Sequence, residues 1–382
     1  SYLRGRFYWN LQTEESFAKA LAFYERAIEF DPDYALAYAA IADFYVYLGI
    51  HCVLPFAEGT RRAKIAALKA VELDETSAEA QNALGIIAIN QDFDWRRGAE
   101  HMRRAIELNP NIVSARRWYN ALLLQSGLLE EASEQARKIA ELDPDSLLSL
   151  HFTAWTHYHR REFDRSLEVY EQMLKSEPFY AWGYLTQSWL LRCAGRFDEA
   201  IKAARKAVEL APNNAMYHAG LAAAEAAAGR RDEAFKTLAE IERMAATGYV
   251  SPFMQATVYC ALDDSDRAFA ELERAYDERD VWVVWIGIDP QFEKLRADDR
   301  YQTLLRRMNH PLAADKRKIN DGPEQSDKSE GKSIAVLPLK FIGAAEAEDE
   351  YLSVGLADAM ITRLSNVRRL VVRPTSSVLK FE

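Results

Sequence analysis

Few of the residue types that do chemistry stand at spacings that would let them do it. Ser329-Glu330-Gly331-Lys332-Ser333 ends as a phosphate-cradling loop ends, but Ser326 stands where that loop needs its upstream glycine. The segment also precedes an apolar run instead of following one, so it does not read as a nucleotide site. His151, His157 and His159 share one helical stretch, yet no two are four residues apart, the spacing that sets two imidazoles on one helix face for a metal. Cys52, Cys193 and Cys260 are far apart and lack a C-x-x-C pair, so they read as free thiols of a reducing compartment. No hydrolase, zinc-protease, kinase or cyclase pattern occurs. The chain is therefore expected to be no enzyme and to hold no cofactor or metal.

What remains is a set of large aromatic, His and Arg side chains: Arg117, His151, Trp155, Tyr158, His159, Trp182, Trp189 and Arg192. They fall at related places in three consecutive segments ending at Pro144, Pro178 and Pro212. Such residues supply most of the energy at protein interfaces, being large, rigid and able to hydrogen-bond at one end. On adjoining inner helices they would line a groove for a protein or peptide partner, with Trp155, Trp189 and Arg192 accessible and facing one concavity. The same stripe would also result if the rings merely filled space between helices.

The elements that must position them are written by proline. Pro110, Pro144, Pro178 and Pro212 stand 34 residues apart, closing the phrases AIELNP, IAELDP, MLKSEP and AVELAP. A proline cannot continue a helix and pushes its predecessor out of helical conformation, so each marks where one helical pair ends. Ala132, Ala136 and Ile139 form one stripe before Pro144, and Ala200, Ala204 and Ala207 repeat it before Pro212, with Gly127 and Gly195 in the preceding turns. Ser166, Tyr170 and Met173 are a poorer copy. Looser units extend the array from FAKALAFYERAIEFDP at the N-terminal end to SPFMQATVYCALDDSDRAFAELERAYDERD, with an insertion around HCVLPFAEG. A 34-residue helical-hairpin period resembles that of tetratricopeptide repeats (TPR). The resemblance implies a mainly α, right-handed TPR α-solenoid of about eight hairpins over residues 1–310, closed by a capping helix at about 289–308.

Composition sets the limits. Hydrophobic residues make up 49% of the chain, enough for a continuous core, and the net charge of −10 excludes a generally basic nucleic-acid surface. VWVVWIGI, 281–288, is too short to span a membrane. Cytoplasmic placement is expected, with the periplasm as the alternative. Residues 311–332 carry five basic and five acidic residues and almost nothing apolar, the composition of a flexible linker. Beyond it SIAVLPL, LSVGLADAMITRLSNV and LVVRP read as strand, helix and strand, an incomplete α/β (βαβ) segment over 333–382 whose open edges invite self-association.

YLRGRFYWNLQTEESFAKALAFYERAIEFDPDYALAYAAIADFY, YVSPFMQATVYCALD and DPQFEKLRADDRYQTLLRRM resemble phrases that open and close the repeat tract of bacterial multidomain regulators. KSIAVLPLKFIGAAEAEDEYLSVGLADAMITRLSNVRRLVVRPTSSVLKF resembles the start of the TolB-like α/β domain that accompanies those repeats. The resemblance implies a protein-interaction scaffold within a bacterial signalling or transcriptional regulator. It leaves open a regulatory fragment of a class III adenylate cyclase or Ser/Thr kinase, and an accessory region of a winged-helix regulator. No direct nucleic-acid contact is implied.

Overall fold

The 34-residue period is written a second time, in the backbone. Phe93, Gly127, Arg161, Gly195, Gly229 and Asp263 all take left-handed φ, between 51° and 77°, and each stands 34 residues after the last. All but Phe93 close the turn between two helices in the same way. The Gly127 amide donates to the Leu124 carbonyl and the Leu128 amide to that of Leu123, both at 2.9 Å; at the next glycine turn the Gly195 amide donates to Arg192 and the Arg196 amide to Leu191. This paired return satisfies carbonyls that the helix end leaves open, and glycine adopts it without a Cβ clash.

The structure is a computed structural model that describes residues 1–10, 14–52, 54–144, 146–246 and 248–313, then 332–336, 356–357, 359–361, 364 and 370–372. Its helices pair into hairpins: α1 Tyr2–Asn10 with α2 Glu14–Phe30, α3 Ala35–Ile50 with α4 Phe56–Leu73, α5 Ala78–Asn90 with α6 Trp95–Leu108, and α7 Val113–Gln125 with α8 Leu129–Leu142. Four more follow: α9 Leu147–His159 with α10 Phe163–Ser176, α11 Ala181–Cys193 with α12 Phe197–Leu210, α13 Ala215–Ala227 with α14 Arg231–Met244, and α15 Pro252–Ala261 with α16 Ser265–Asp277. The sequence count of about eight hairpins is met among the described residues. Ala132, Ala136 and Ile139, their counterparts Ser166, Tyr170 and Met173, and Ala200, Ala204 and Ala207 are all buried, so the small-residue stripes are where successive helices meet.

The last elements do more than cap. After α16 come 3-10 turns at Val283–Trp285 and Pro290–Leu295, then α17 Asp299–Arg307. Tyr301, Leu304, Leu305 and Met308 are buried, as a terminal helix requires. The chain then runs back to the third and fourth hairpins. The Met308 carbonyl accepts from Trp95 Nε1 at 3.0 Å, the His310 ring lies 4.8 Å from that of Trp95, and Leu312 packs at Gly127. From the other side the insertion after α3 reaches across: Asn214 Nδ2 donates to the His51 carbonyl at 3.1 Å, and the His51 ring sits 5.8 Å from Trp182. The interior of the solenoid is thereby filled by its own chain.

The expected α/β addition is corrected. The fold of the described residues is an all-helical solenoid, and after it lies only one parallel ladder, Lys332–Ile334 on Leu370–Val372, three residues a side. Apolar runs rich in β-branched residues favour extended backbone locally, but a sheet layer needs neighbouring strands to bury its faces. Most of 333–382, and the expected tether 311–332 apart from 311–313 and Lys332, lie outside the described residues.

The left-handed turns generate a prediction. Arg161 holds φ 62° with a Cβ, where Gly127 and Gly195 have none. Its exposed ion pair with Glu293 contributes little. Arg161→Gly should raise stability by about 1 kcal/mol in urea denaturation; a loss of that size would mean that the side chain, not the backbone, governs this turn.

Candidate functional site

Six of the eight residues picked from sequence converge on one interior, and the structure brings them together by periodicity. Trp155 on α9 and Trp189 on α11 stand 34 residues apart on adjoining inner helices, with ring centroids 5.9 Å apart. Trp182 lies 5.8 Å from Trp189, edge to face. Within α9 the His151 ring stacks on Trp155 at 5.7 Å and Trp155 on Tyr158 at 5.0 Å. His159 is perpendicular to Trp155 at 4.7 Å. Arg192 is at the rim, half-buried at the end of α11 beside Cys193, where its charge reaches Tyr158 and Asp289. Arg117 stands apart. It donates from Nη2 to Asp143 Oδ2 at 2.9 Å and to the Ser146 and Ser149 hydroxyls, tying α7 to the start of α9.

The expected accessibility is corrected. Trp155 and Trp189 retain 4% and 3% of their surface. What covers them was absent from the sequence-based set: residues 281–288, lying in the concavity as a peptide would. Trp285 meets Trp155 at 5.5 Å, edge to face, and stacks on His159 at 4.9 Å. Trp282 meets Trp182 at 5.4 Å and Trp189 at 6.0 Å. Val281, Trp282, Val283, Val284, Trp285 and Ile286 are all buried, and at roughly 1.5–3 kcal/mol per large apolar side chain this segment contributes on the order of 10 kcal/mol before its ordering cost. The sequence signal was the apolar run itself, which needs burial somewhere.

Two buried carboxylates clamp the ends of this segment. Asp280 accepts from the Ser251 hydroxyl at 2.5 Å, the Tyr249 hydroxyl at 3.3 Å and the amides of Trp282 and Phe253. Asp289 accepts from the Tyr158 hydroxyl at 2.9 Å and from the Gln291 amide and side chain. Burial raises both carboxyls above the usual range, and these donors oppose it. In the middle, His310 Nε2 donates to the Val284 carbonyl at 3.0 Å while its Nδ1 accepts from the Leu312 amide. The His310 ring lies so close to Gly287 that a Cβ there would collide with it.

Two models described as tetratricopeptide repeat match this chain, at residues 93–146 and 181–214. The chain carries tetratricopeptide repeats, which serve as protein-interaction scaffolds. It is 26% identical over 182 residues to the transcriptional regulator HilA of Salmonella typhimurium, covering 46% of this chain and 32% of that protein. It is 29% identical over 105 residues to Hsp70-Hsp90 organizing protein 3 of Arabidopsis thaliana, covering 28% of this chain and 19% of that one. The match therefore spans about a third of HilA's length and less of the plant protein. Among solved structures, the human IFIT1 dimer with m7Gppp-AAAA aligns over 80% of this chain and 78% of its own at TM-score 0.50 and 14% identity, a likeness of fold alone. No helix of the described residues is long and apolar enough to cross a membrane.

The buried imidazole of His151 makes the interior sensitive to acid. Its Nε2 accepts from Trp182 Nε1 at 3.4 Å, so in the neutral ring Nδ1 carries the proton and donates to the Tyr170 oxygen at 3.2 Å. Burial first, then the neighbouring His51 and Arg117, lowers its pKa to about 3. A folded pKa below the unfolded 6.5 gives stability that is present above pH 6.5 and is lost as pH falls toward 3. At pH 5 the loss from this group is about 2 kcal/mol. Asp280 and Asp289, whose raised carboxyls act in the opposite direction, mask it in the wild type, so the informative quantity is a difference. The stability deficit of His151→Gln relative to wild type should shrink by about 2 kcal/mol between pH 7.5 and pH 5 in denaturant titrations; a deficit independent of pH would show an ordinary imidazole.

Proposed function

We propose that this chain is the partner-binding scaffold of a bacterial signalling or transcriptional regulator, and that a partner segment takes the inner aromatic face in exchange for the chain's own residues 281–288. One observation carries the reading. The face formed by His151, Trp155, Tyr158, His159, Trp182 and Trp189 already receives a short apolar segment through two tryptophan anchors. A surface that accommodates such a segment in cis has the shape and chemistry to accept one in trans, aromatic anchors in desolvated pockets being the usual centre of an interface. Arg192, half-buried at the rim, would contact one end of a longer partner, while Arg117 stays engaged with Asp143, Ser146 and Ser149.

The regulator context draws on the similarity to HilA, whose name is that of a transcriptional regulator, and on the resemblance of the C-terminal text to TolB-like regulators. The name of the plant relative, an organizing protein, agrees with a scaffold role.

Exchange has a definite energetic requirement. A segment tethered at both ends competes at an effective concentration on the order of millimolar, so a free partner must bind much more tightly or the segment must first be loosened. A labelled peptide of residues 280–289 is the probe. It should bind Trp282→Ala/Trp285→Ala at least about tenfold more tightly than wild type, the two proteins having equal helical content by circular dichroism. Equal binding to both, or none to the folded variant, would remove the inner face as the partner surface.

A further inference from the structure

The segment that covers the inner face, residues 281–288, shows what another segment would need in order to take its place. Val283–Trp285 is a single 3-10 turn: the Val283 amide donates to the Asp280 carbonyl at 3.1 Å, that of Trp285 to Trp282 at 3.0 Å and that of Ile286 to Val283 at 3.2 Å. Three residues of such a turn advance about 6 Å and bring the side chain back to the same side. That step carries the first indole, Trp282, to Trp182 and Trp189 on α11, and the second, Trp285, to Trp155 and His159 on α9. In an extended chain, residues three apart point to opposite faces, and one indole would be left out.

The places between and after the indoles are as demanding. Val283, Val284 and Ile286 are fully buried, so a charged side chain at any of them would be taken out of water at a cost that burial there does not return. Gly287 faces His310, whose ring is fixed from outside the segment by the Leu312 amide on Nδ1 and by the Trp95 ring 4.8 Å away. A Cβ at that place would meet the imidazole. The main chain is held as well: His310 Nε2 donates to the Val284 carbonyl, and the Tyr301 hydroxyl of α17 to that of Ile286 at 2.7 Å. Both donors belong to the closing elements, so they stay in place for another segment seated the same way.

We propose that the partner of this face is a segment of another polypeptide that folds into one 3-10 turn and carries two tryptophans three residues apart, aliphatic residues between and directly after them, and glycine two places beyond the second. This rests on the exchange reading above and adds a sequence requirement to it. A second copy of this chain carries such a segment, but two copies trading covers would make only the contacts that each already makes. The tethered segment, at an effective concentration on the order of millimolar, then prevails over its counterpart in the other copy.

The receiver is the full chain carrying Trp282→Ala/Trp285→Ala, and the probe is a labelled peptide of residues 280–289 followed by fluorescence anisotropy. Two altered peptides test the requirement, one with Gly287→Val and one with an alanine inserted between Val284 and Trp285. Each should bind at least about tenfold more weakly than the parent peptide. On a receiver that also carries His310→Ala, which removes the opposing ring, the Gly287→Val loss should shrink to within about threefold. Should the double variant fail to fold, Gly287→Val in the otherwise intact chain, which forces its own cover off His310, is the receiver for the same peptides. The wild-type chain should sediment as a monomer at micromolar concentration. Altered peptides that bind as well as the parent, or a Gly287→Val loss that His310→Ala leaves unchanged, would overturn the sequence requirement while the inner face stood as a partner surface. No binding of any peptide to a folded receiver would remove both. A wild-type dimer abolished by Trp282→Ala/Trp285→Ala would assign the face to a second copy and overturn the proposal.

Discussion

The packing of Trp282 and Trp285 among Trp155, Trp182 and Trp189 is the contact on which the rest of the molecule depends. A stack of helical hairpins buries each unit against its neighbours but leaves the inner face of the array to be covered by something else. Here the inner face carries indole and imidazole rings, and the chain supplies the cover itself. The surrounding features follow from holding that cover in place: Asp280 and Asp289 pin its ends, His310 fastens its middle, and the closing segment runs on to Trp95 and Gly127. Removing the two indoles would leave the inner rings facing water and the two aspartates clamping a segment without anchors.

Several polar groups taken into this interior are partnered in chains. His151 links Trp182 to Tyr170, and Tyr158 links α9 to Asp289 at the far end of the covering segment. A satisfied network of this kind specifies one arrangement, because any alternative leaves a buried donor or acceptor open. It also couples the cover to the repeats: a partner that displaces residues 281–288 must replace their apolar contacts and must leave Tyr158 and Asp289 either paired or hydrated. The exceptions are Arg192 Nη2 at the rim, both ring nitrogens of His159 and the Trp282 indole nitrogen, which are buried with no hydrogen-bond partner among the described residues.

What could be read from the sequence was what repeats. The prolines at a fixed interval, the Ala132–Ala136 and Ala200–Ala204 stripes and the turn glycines each report local geometry, and local geometry determines a hairpin. The convergence of Trp155, Trp182 and Trp189 followed from the same period. The cover did not, since contacts between residue 51 and residue 214, or 95 and 308, have no period and no local signature. VWVVWIGI spoke only through its hydrophobicity, which says that it must be buried and not where. The left-handed turns at Phe93, Arg161 and Asp263 were hidden for a related reason: the repeat imposes the conformation on residues that would not choose it. The C-terminal apolar runs form three-residue strands but no α/β layer among the described residues, because strand propensity is local and a sheet is not.

Native-state hydrogen exchange of the free protein tests the central claim most directly. Trp285, Ile286, Ile288 and Asp289 donate backbone hydrogen bonds within the covering segment, to the carbonyls of Trp282, Val283, Trp285 and Trp285. If that segment closes the inner face, these amides should exchange as slowly as those of α9 and α11, and in the same cooperative unit. Exchange of residues 283–289 at free-chain rates while α9 and α11 remain protected would contradict a closed face and leave the inner surface open in the resting protein.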